Sequence, residues 1–280
     1  MAVAEPRPRR VPAHARPERG RILIAARWLL LPALVLVLWE LAVGLGWLRP
    51  FSFPPPSRLA AALAELVMRG FPQGERLWVH VGMTLLRVLE GCVLAIAAAI
   101  PLGILIGSVI VLDKLTLPII TFARSVASLS LLPLAIIWFG TGELSKVLLI
   151  AYGCFWTMLP NVIAAVKYVD PLLIRAAQTL DTGRGGIFLR VVLPAALPRM
   201  FAGARVAIGV GFMIIVGAEM IGTIQGLGAL IMEARTFYRS DITIVGMMLI
   251  GLIGFGVLGG LGWLERRLLP WQTGLEQVRR

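Results

Sequence analysis

Few side chains in this sequence are of types that do chemistry, and most of those stand alone inside apolar runs. Glu40, Arg87, Glu90, Arg124 and Glu219 are ionisable residues embedded in otherwise apolar stretches. Such residues usually face a protein interior or a water-filled path, and usually have a partner. Arg87 and Glu90 are three apart, which places them on one helical face and predicts a pair. Arg124 is the candidate positive charge beside a pathway, or else the partner of a buried acid or carbonyl. Glu219 is expected to brace a gate or to pair with a basic residue, and Gly226 and Gly228 are grouped with it. The histidines are His14 and His80, and the cysteines are Cys92 and Cys154. Neither set has metal-ligand or disulfide spacing. No His/Cys/Asp cluster of catalytic type occurs, and the phosphate-cradling pattern GxxxxGK[ST] is absent. No metal, no cofactor and no enzymatic activity are therefore expected of this chain.

The elements that hold these residues are read from composition. The chain has 280 residues, of which 58% are hydrophobic and only 15% charged, against about 25% charged in an ordinary soluble domain. Its mean hydropathy is +0.87. Several runs approach the roughly 20 apolar residues that cross a bilayer as a helix. A β-barrel would alternate instead, strand by strand. The fold class expected is all-α, a polytopic membrane protein of six transmembrane helices. The formal charge of +12 reads as basic loops held on the cytoplasmic side of a bilayer rather than as nucleic-acid binding.

In chain order, residues 1–21 are rich in Pro and Arg and read as a disordered basic cytoplasmic tail. A first span covers about 22–47 and carries Glu40. The rest of 22–80 is an external amphipathic segment, in which Ser57 is expected to cap a short helix after Pro54-Pro55-Pro56. The core domain is expected over 81–271, with a short cytoplasmic tail at 272–280. Its spans are about 81–109, 117–140 (interrupted at Arg124 and Pro133), 147–166 (broken at Pro160), 201–221 and 242–263. A short inner loop is expected at Asp113-Lys114. Gly103 and Gly107, and again Gly256 and Gly260, have the small-xxx-small spacing that lets helices approach closely. Six spans put both termini on one side. On that side Lys and Arg number 18, against 7 in the segments opposite, which makes it the cytoplasmic side.

The polar interruption at 170–198 is the most informative stretch. Asp170-Pro171 is a helix start, a capping carboxylate followed by proline at the first helical position. Leu173, Ala176, Ala177 and Leu180 form an apolar stripe at helical spacing. Gly183, Gly185 and Gly186 are expected to end that helix and turn the chain. A second short segment, 187–193, is expected to stop at Pro194, with Pro198 preceding the next span. Two short helices of this kind make a knob, and the Ala176-Ala177 step keeps its surface low.

This stretch resembles the EAA loop of binding-protein-dependent ABC importer permeases. The family pattern is E-A-A, three residues, G, nine residues, then I-x-L-P. Here Arg175-Ala176-Ala177 is followed at the same spacing by Asp181 and by Val191-Val192-Leu193-Pro194. LLPLAIIWFGTGELSK at 131–146, AALPRMFAGARVAIG at 195–209, GAEMIGTIQGLGALI at 217–231 and LERRLLPW at 264–271 resemble the nitrate, sulfonate, taurine and bicarbonate branch. The R-A-A-Q form and the LLPW ending are most similar to taurine-type permeases. The resemblance spans about 50–271.

The resemblance implies a type I importer permease in the bacterial inner membrane, with cytoplasmic coupling helices. Its implied partners are two ATP-binding cassette ATPase subunits, an extracytoplasmic solute-binding protein and a second permease copy. Coupling to the ATPase falls on Arg175, Ala176, Ala177, Asp181, Gly183, Val191, Leu193 and Pro194. The implied activity is import of a small anion such as a sulfonate, taurine or nitrate by alternating access. Asp181 departs from the pattern, standing where the loop glycine is nearly always found. Asp tolerates a positive φ better than most residues, at a cost; Gly183 offers an alternative place for the turn. The alternatives are a permease of the same family for another small organic solute and, as a different class, a standalone secondary transporter. The latter would show an inverted repeat with paired broken helices, and no such repeat is seen.

Overall fold

The computed structural model describes residues 18–71 and 74–271, with side chains inside the first helix described from Leu30 onward. Among the described residues the protein is entirely helical. The chain divides into two compact units at Arg58.

In the first unit, α1 runs Glu18–Gly44 and carries Pro32 inside it. From Leu34 to Leu38 every residue is exposed and apolar, as suits a helix in contact with lipid. The expected disorder of 1–17 lies outside the described residues, and Glu18 to Arg21 are already helical. Glu40 has a partner that the sequence did not reveal. Its carboxylate accepts the Ser57 N–H at 3.1 Å and the Ser57 hydroxyl at 2.7 Å. Ser57 is therefore not the cap of the helix that follows: Pro56 is already helical, and Glu40 supplies the anion to its first turn.

The second unit contains α2 (Pro56–Met68, apart from its first turn), α3 (Leu77–Ser108), α4 (Ile110–Ser125), a 3₁₀ turn at Ser128–Leu131, α5 (Leu132–Phe139) and α6 (Glu143–Lys167). It continues with α7 (Pro171–Thr179), α8 (Arg184–Ile187), a π-helical turn at Phe188–Val192, α9 (Leu193–Glu219), α10 (Leu227–Thr236) and α11 (Ser240–Leu268). Four stretches are long and apolar enough to cross a membrane: α3, α6, the continuous helix Arg184–Glu219, and α11. A fifth candidate is the pair Ile110–Ser125 and Ser128–Phe139, bent by 78°.

The core is built on α3, α6 and α9. In lipid, apolar area alone does not drive helices together, so close contact falls to small residues. A Cβ added to Gly91 would lie 2.7 Å from Ile150 Cβ, and one on Gly103 would lie 2.7 Å from Val162 Cβ. At Gly107 it would lie 3.2 Å from Val166 Cβ. These partners keep one offset along both helices, so α3 and α6 run parallel in constant register. Gly203 meets Asn161 and Gly211 meets Cys154; the order reverses, so α9 runs antiparallel to α6. Val88, Ala95, Ile150, Met158, Val162, Ala207 and Ile215 fill the space between them.

Two expected breaks are not breaks, and Pro198, expected ahead of a span, lies within one. Asp113 and Lys114 belong to the first turns of α4, and a single extended residue, Val109, separates it from α3. Pro160 lies inside an unbroken α6, and Pro198 lies inside α9. Neighbouring helices and local adjustment accommodate proline in apolar helices, so a lone proline is a poor stop signal here. The Gly256/Gly260 motif packs on nothing among the described residues of the chain itself: an added Cβ at either meets nothing within 4 Å. Much of α11 shows Met247, Met248, Leu252 and Phe255 outward.

Candidate functional site

The expected coupling residues come together at one end of the bundle, where α3 and α6 finish and α9 begins. Asp170 caps α7 as predicted: its carboxylate accepts the Leu172 N–H at 2.8 Å, with Pro171 at the first helical position. The apolar stripe does not turn inward as a unit. Ala177 is 8% exposed, while Leu173 and Leu180 are 47% and 79% exposed. Arg175, Ala176 and Asp181 are exposed as well. The helix thus rests on Ala177 and offers Leu172, Ala176 and Leu180 to the surroundings.

The turn is made at Asp181, with φ +50°. Its N–H reaches the Gln178 carbonyl at 3.1 Å. Gly183 does not carry the turn; it is extended (φ −59°, ψ 156°) and precedes α8. Gly185 and Gly186 do not end a helix either, because they lie inside α8. Nor does Pro194 stop the segment. The chain is helical from Arg184 to Glu219 without interruption. A π-helical turn at Phe188–Val192 shifts the hydrogen bonding just before Pro194, where a proline cannot donate to the preceding turn. Val191, Leu193 and Pro194 are half-buried at this joint.

Behind the knob lies a cavity of about 620 Å³. Ser108, Asp113, Lys167, Ile174, Arg184 and Phe188 contribute to its walls. Lys167 Nζ binds Asp113 Oδ2 at 2.5 Å, clipping the end of α6 to α4.

The opposite end of the bundle holds a buried charged cluster that the sequence did not assemble. Arg87 is 2% exposed. It does not pair with Glu90. Its Nη1 donates to Glu219 Oε1 at 2.6 Å and to the Gln225 carbonyl at 2.7 Å. Its Nη2 donates to Glu143 Oε1 at 2.8 Å, and its Nε to the other oxygen of that carboxylate. Glu219, fully buried, also accepts the Thr84 hydroxyl and the Gly228 N–H at 3.0 Å. Lys146 Nζ lies 3.5 Å from Glu143, so two cations face two carboxylates.

Gly226 and Gly228 belong here for steric reasons. Gly226 has φ +130°, and a Cβ on it would sit 2.4 Å from the Glu219 carboxylate. One on Gly228 would sit 2.6 Å from the Val216 carbonyl. His80 closes the cluster. Its Nδ1 lies 3.2 Å from the Gly226 nitrogen and 3.1 Å from the Gly226 oxygen, and the tautomer decides which is used. Arg87, Glu143 and Glu219 sit at the same end of three of the apolar runs, and that placement was the available signal.

Arg124 is at neither end. It is exposed in the last turn of α4 and lines a small cavity of about 200 Å³ with Ser128, Tyr152 and Thr157. This cavity is at the 78° break, where the Tyr152 hydroxyl donates to the Ala123 carbonyl at 3.1 Å.

Residues 99–270 match the family described as binding-protein-dependent transport system inner membrane component. The taurine transport system permease protein TauC of Escherichia coli is 37% identical over 242 residues, covering 85% of this chain and 87% of that protein. The aliphatic sulfonates transport permease protein SsuC of Bacillus subtilis (described there as putative) is 32% identical over 248 residues, covering 89% and 88%. Among solved structures, the MetNI methionine ABC transporter superposes with a TM-score of 0.52 at 19% identity, covering 66% of this chain and 97% of that one. That likeness is one of fold.

Proposed function

The chain belongs to the binding-protein-dependent transport system inner membrane components, and from that premise we propose that it is the permease subunit of an ATP-driven importer of a small sulfonate-like anion. Six helices cross the inner membrane in this reading: α1, α3, the bent pair α4–α5, α6, α9 and α11. Both termini are then cytoplasmic, which puts the α7 knob inside and the Arg87 cluster outside. Two copies of the chain form the pathway. Two ATPase subunits receive the α7 knobs, and a solute-binding protein delivers the anion from outside.

The observation that carries the reading is the geometry of the loop. Its apolar residues Leu172, Ala176 and Leu180 are exposed rather than packed on the chain's own bundle, and an exposed apolar set of this kind marks a contact surface. Arg175 and Asp181 frame it. Closure of the ATPase dimer moves the knob and biases the bundle between two states, which nucleotide can do only by binding one of them more tightly. Arg124 beside the broken helix supplies positive charge for the anion. The taurine and sulfonate names of the relatives support the substrate class.

Uptake of labelled taurine into proteoliposomes holding the permease, its ATP-binding subunit and its solute-binding protein tests this. Uptake should require ATP, and excess alkanesulfonate should compete with it. Uptake by the permease alone on an ion gradient overturns the importer reading. ATP-dependent uptake of a cation or sugar, with taurine excluded, overturns the substrate class.

A further inference from the structure

Cys92 and Cys154 are 62 positions apart and carry no disulfide signature, yet the fold places their sulfurs 3.6 Å apart in the core. They are 3% and 0% exposed. Both face Gly211 of α9, where an added Cβ would lie 3.1 Å from each sulfur. The helices that carry them are in unusually close contact beside the pair, because Gly91 packs directly on Ile150. Cys154 also donates its S–H to the Ala207 carbonyl at 3.1 Å. A disulfide needs Cα atoms about 4.4–6.8 Å apart and sulfurs free to rotate to bonding distance. The two sulfurs, already in contact at 3.6 Å, have only to close to the roughly 2.05 Å of an S–S bond.

We propose that Cys92 and Cys154 are a redox-convertible pair that forms a disulfide joining α3 to α6 when a small, membrane-permeant hydroperoxide reaches the core. One sulfur attacks the peroxide oxygen, the O–O bond breaks, and the alcohol (or water) leaves as the sulfur becomes a sulfenic acid. The other sulfur attacks that sulfenic sulfur, the S–S bond forms, and water leaves. Two thiols are oxidised by two electrons and the peroxide is reduced by two. The product removes the hydrogen that Cys154 gave to Ala207. It therefore exchanges a link between α6 and α9 for a covalent one between α3 and α6. The consequence is a bundle whose α3–α6 half is stapled while its hold on α9 is loosened.

The test uses the full chain in native membranes, treated with tert-butyl hydroperoxide, denatured, tagged with a maleimide and weighed intact. The chain holds two cysteines, so the reduced protein takes two tags. After oxidation the expected product takes none, yields a Cys92–Cys154 cross-linked peptide lighter by two hydrogens than its two thiol peptides, migrates as a single chain without reductant, and recovers both tags after dithiothreitol. Cys92→Ala and Cys154→Ala should each keep one taggable thiol, or take up oxygen, and form no intramolecular link. Two thiols still taggable after oxidation overturn the proposal. So does oxygen located on Cys92 or Cys154 of the wild-type chain by peptide mapping, which separates it from oxygen taken up by the ten methionines, or a link between two chains in place of the internal one.

Discussion

At the scale of single residues, Asp181 shows what a backbone position demands. The loop turns there with φ +50°, a region that costs an ordinary L-residue roughly 1–2 kcal/mol and glycine very little. Aspartate bears part of that cost through its short polar side chain. Asp181→Gly is expected to stabilise the purified chain by up to about 1 kcal/mol, and Asp181→Val to destabilise it, read as shifts in thermal unfolding in detergent. Equal melting curves for the two variants would show that the turn has moved elsewhere. Spacing alone marked this position, by aligning an acid with a loop glycine, whereas Gly183 looked equally able to turn and in fact is extended.

Glu65 gives a second residue-scale prediction. It bonds Arg239 through both carboxylate oxygens, at 2.7 and 3.2 Å. The Arg239 hydrogen bonds hold the Glu65 carboxyl below the usual carboxylate range, against a smaller opposing effect of burial. A carboxylate whose folded pKa is depressed adds stability above its unfolded value near pH 4.3. That stability is lost as pH falls through the lower, folded value. The pair is partly exposed, so solvent screens it, and Glu65→Gln should cost under about 1 kcal/mol at neutral pH. The difference between wild type and Glu65→Gln should shrink on acidification below about pH 4 and stay flat from pH 6 to 8. A difference that grows on acidification contradicts this assignment.

Among the elements, the Arg87 cluster ties the ends of α3, α6 and α9 together, and it is the part of the molecule least legible in advance. Local spacing favoured Glu90 as the partner of Arg87, because partners three apart are visible in a sequence. The true partners are 56 and 132 positions away and could be matched only once the parallel register of α3 and α6 was known. The same limit explains the prolines. Pro160 and Pro194 were read as breaks by rules learned in water, but they sit in continuous helices. Hydrophobic runs, the cap at Asp170 and the bend at Arg124 were legible because each depends on neighbours in sequence. Glycine spacing was half legible. Gly103 and Gly107 pack on α6, while Gly256 and Gly260 face nothing within the chain.

The cluster also makes a quantitative expectation. Removing one member of a buried pair leaves an unpaired charge, at about 3–5 kcal/mol, whereas replacing both with apolar residues of similar volume is often nearly neutral. Arg87→Met should therefore lower thermal stability severely, and Glu219→Gln less so, because an amide still accepts from Thr84. Arg87→Met combined with Glu219→Leu should recover much of the loss. The recovery will be incomplete, since Glu143 also loses its two hydrogen bonds from Arg87. Additive losses in the double variant would mean that Arg87 and Glu219 do not act as a pair in the folded protein.

Across the whole molecule, the different burial of Ala176 and Ala177 separates a test of folding from a test of the proposed coupling. Both alanines stand at matching positions of the family pattern, and their spacing does not distinguish them. The fold does: Ala177 is buried against the bundle and Ala176 is exposed. A charge introduced at Ala177 has to be accommodated inside the chain's own packing, and an unpaired buried charge is costly. A charge at Ala176 meets nothing in the chain itself and would meet only a docked partner, where a like charge or an unpaired buried one costs several kcal/mol. Ala176→Glu is therefore expected to leave membrane insertion and the melting curve of the isolated permease unchanged. If the proposed function holds, it should reduce co-purification of an ATP-binding subunit by at least tenfold relative to the wild-type chain. Ala177→Glu should lower both the yield and the melting temperature of the permease alone. If Ala176→Glu retains its ATP-binding subunit at wild-type levels, the exposed face of α7 is not the docking surface, and the Leu172–Leu180 apolar set needs another occupant.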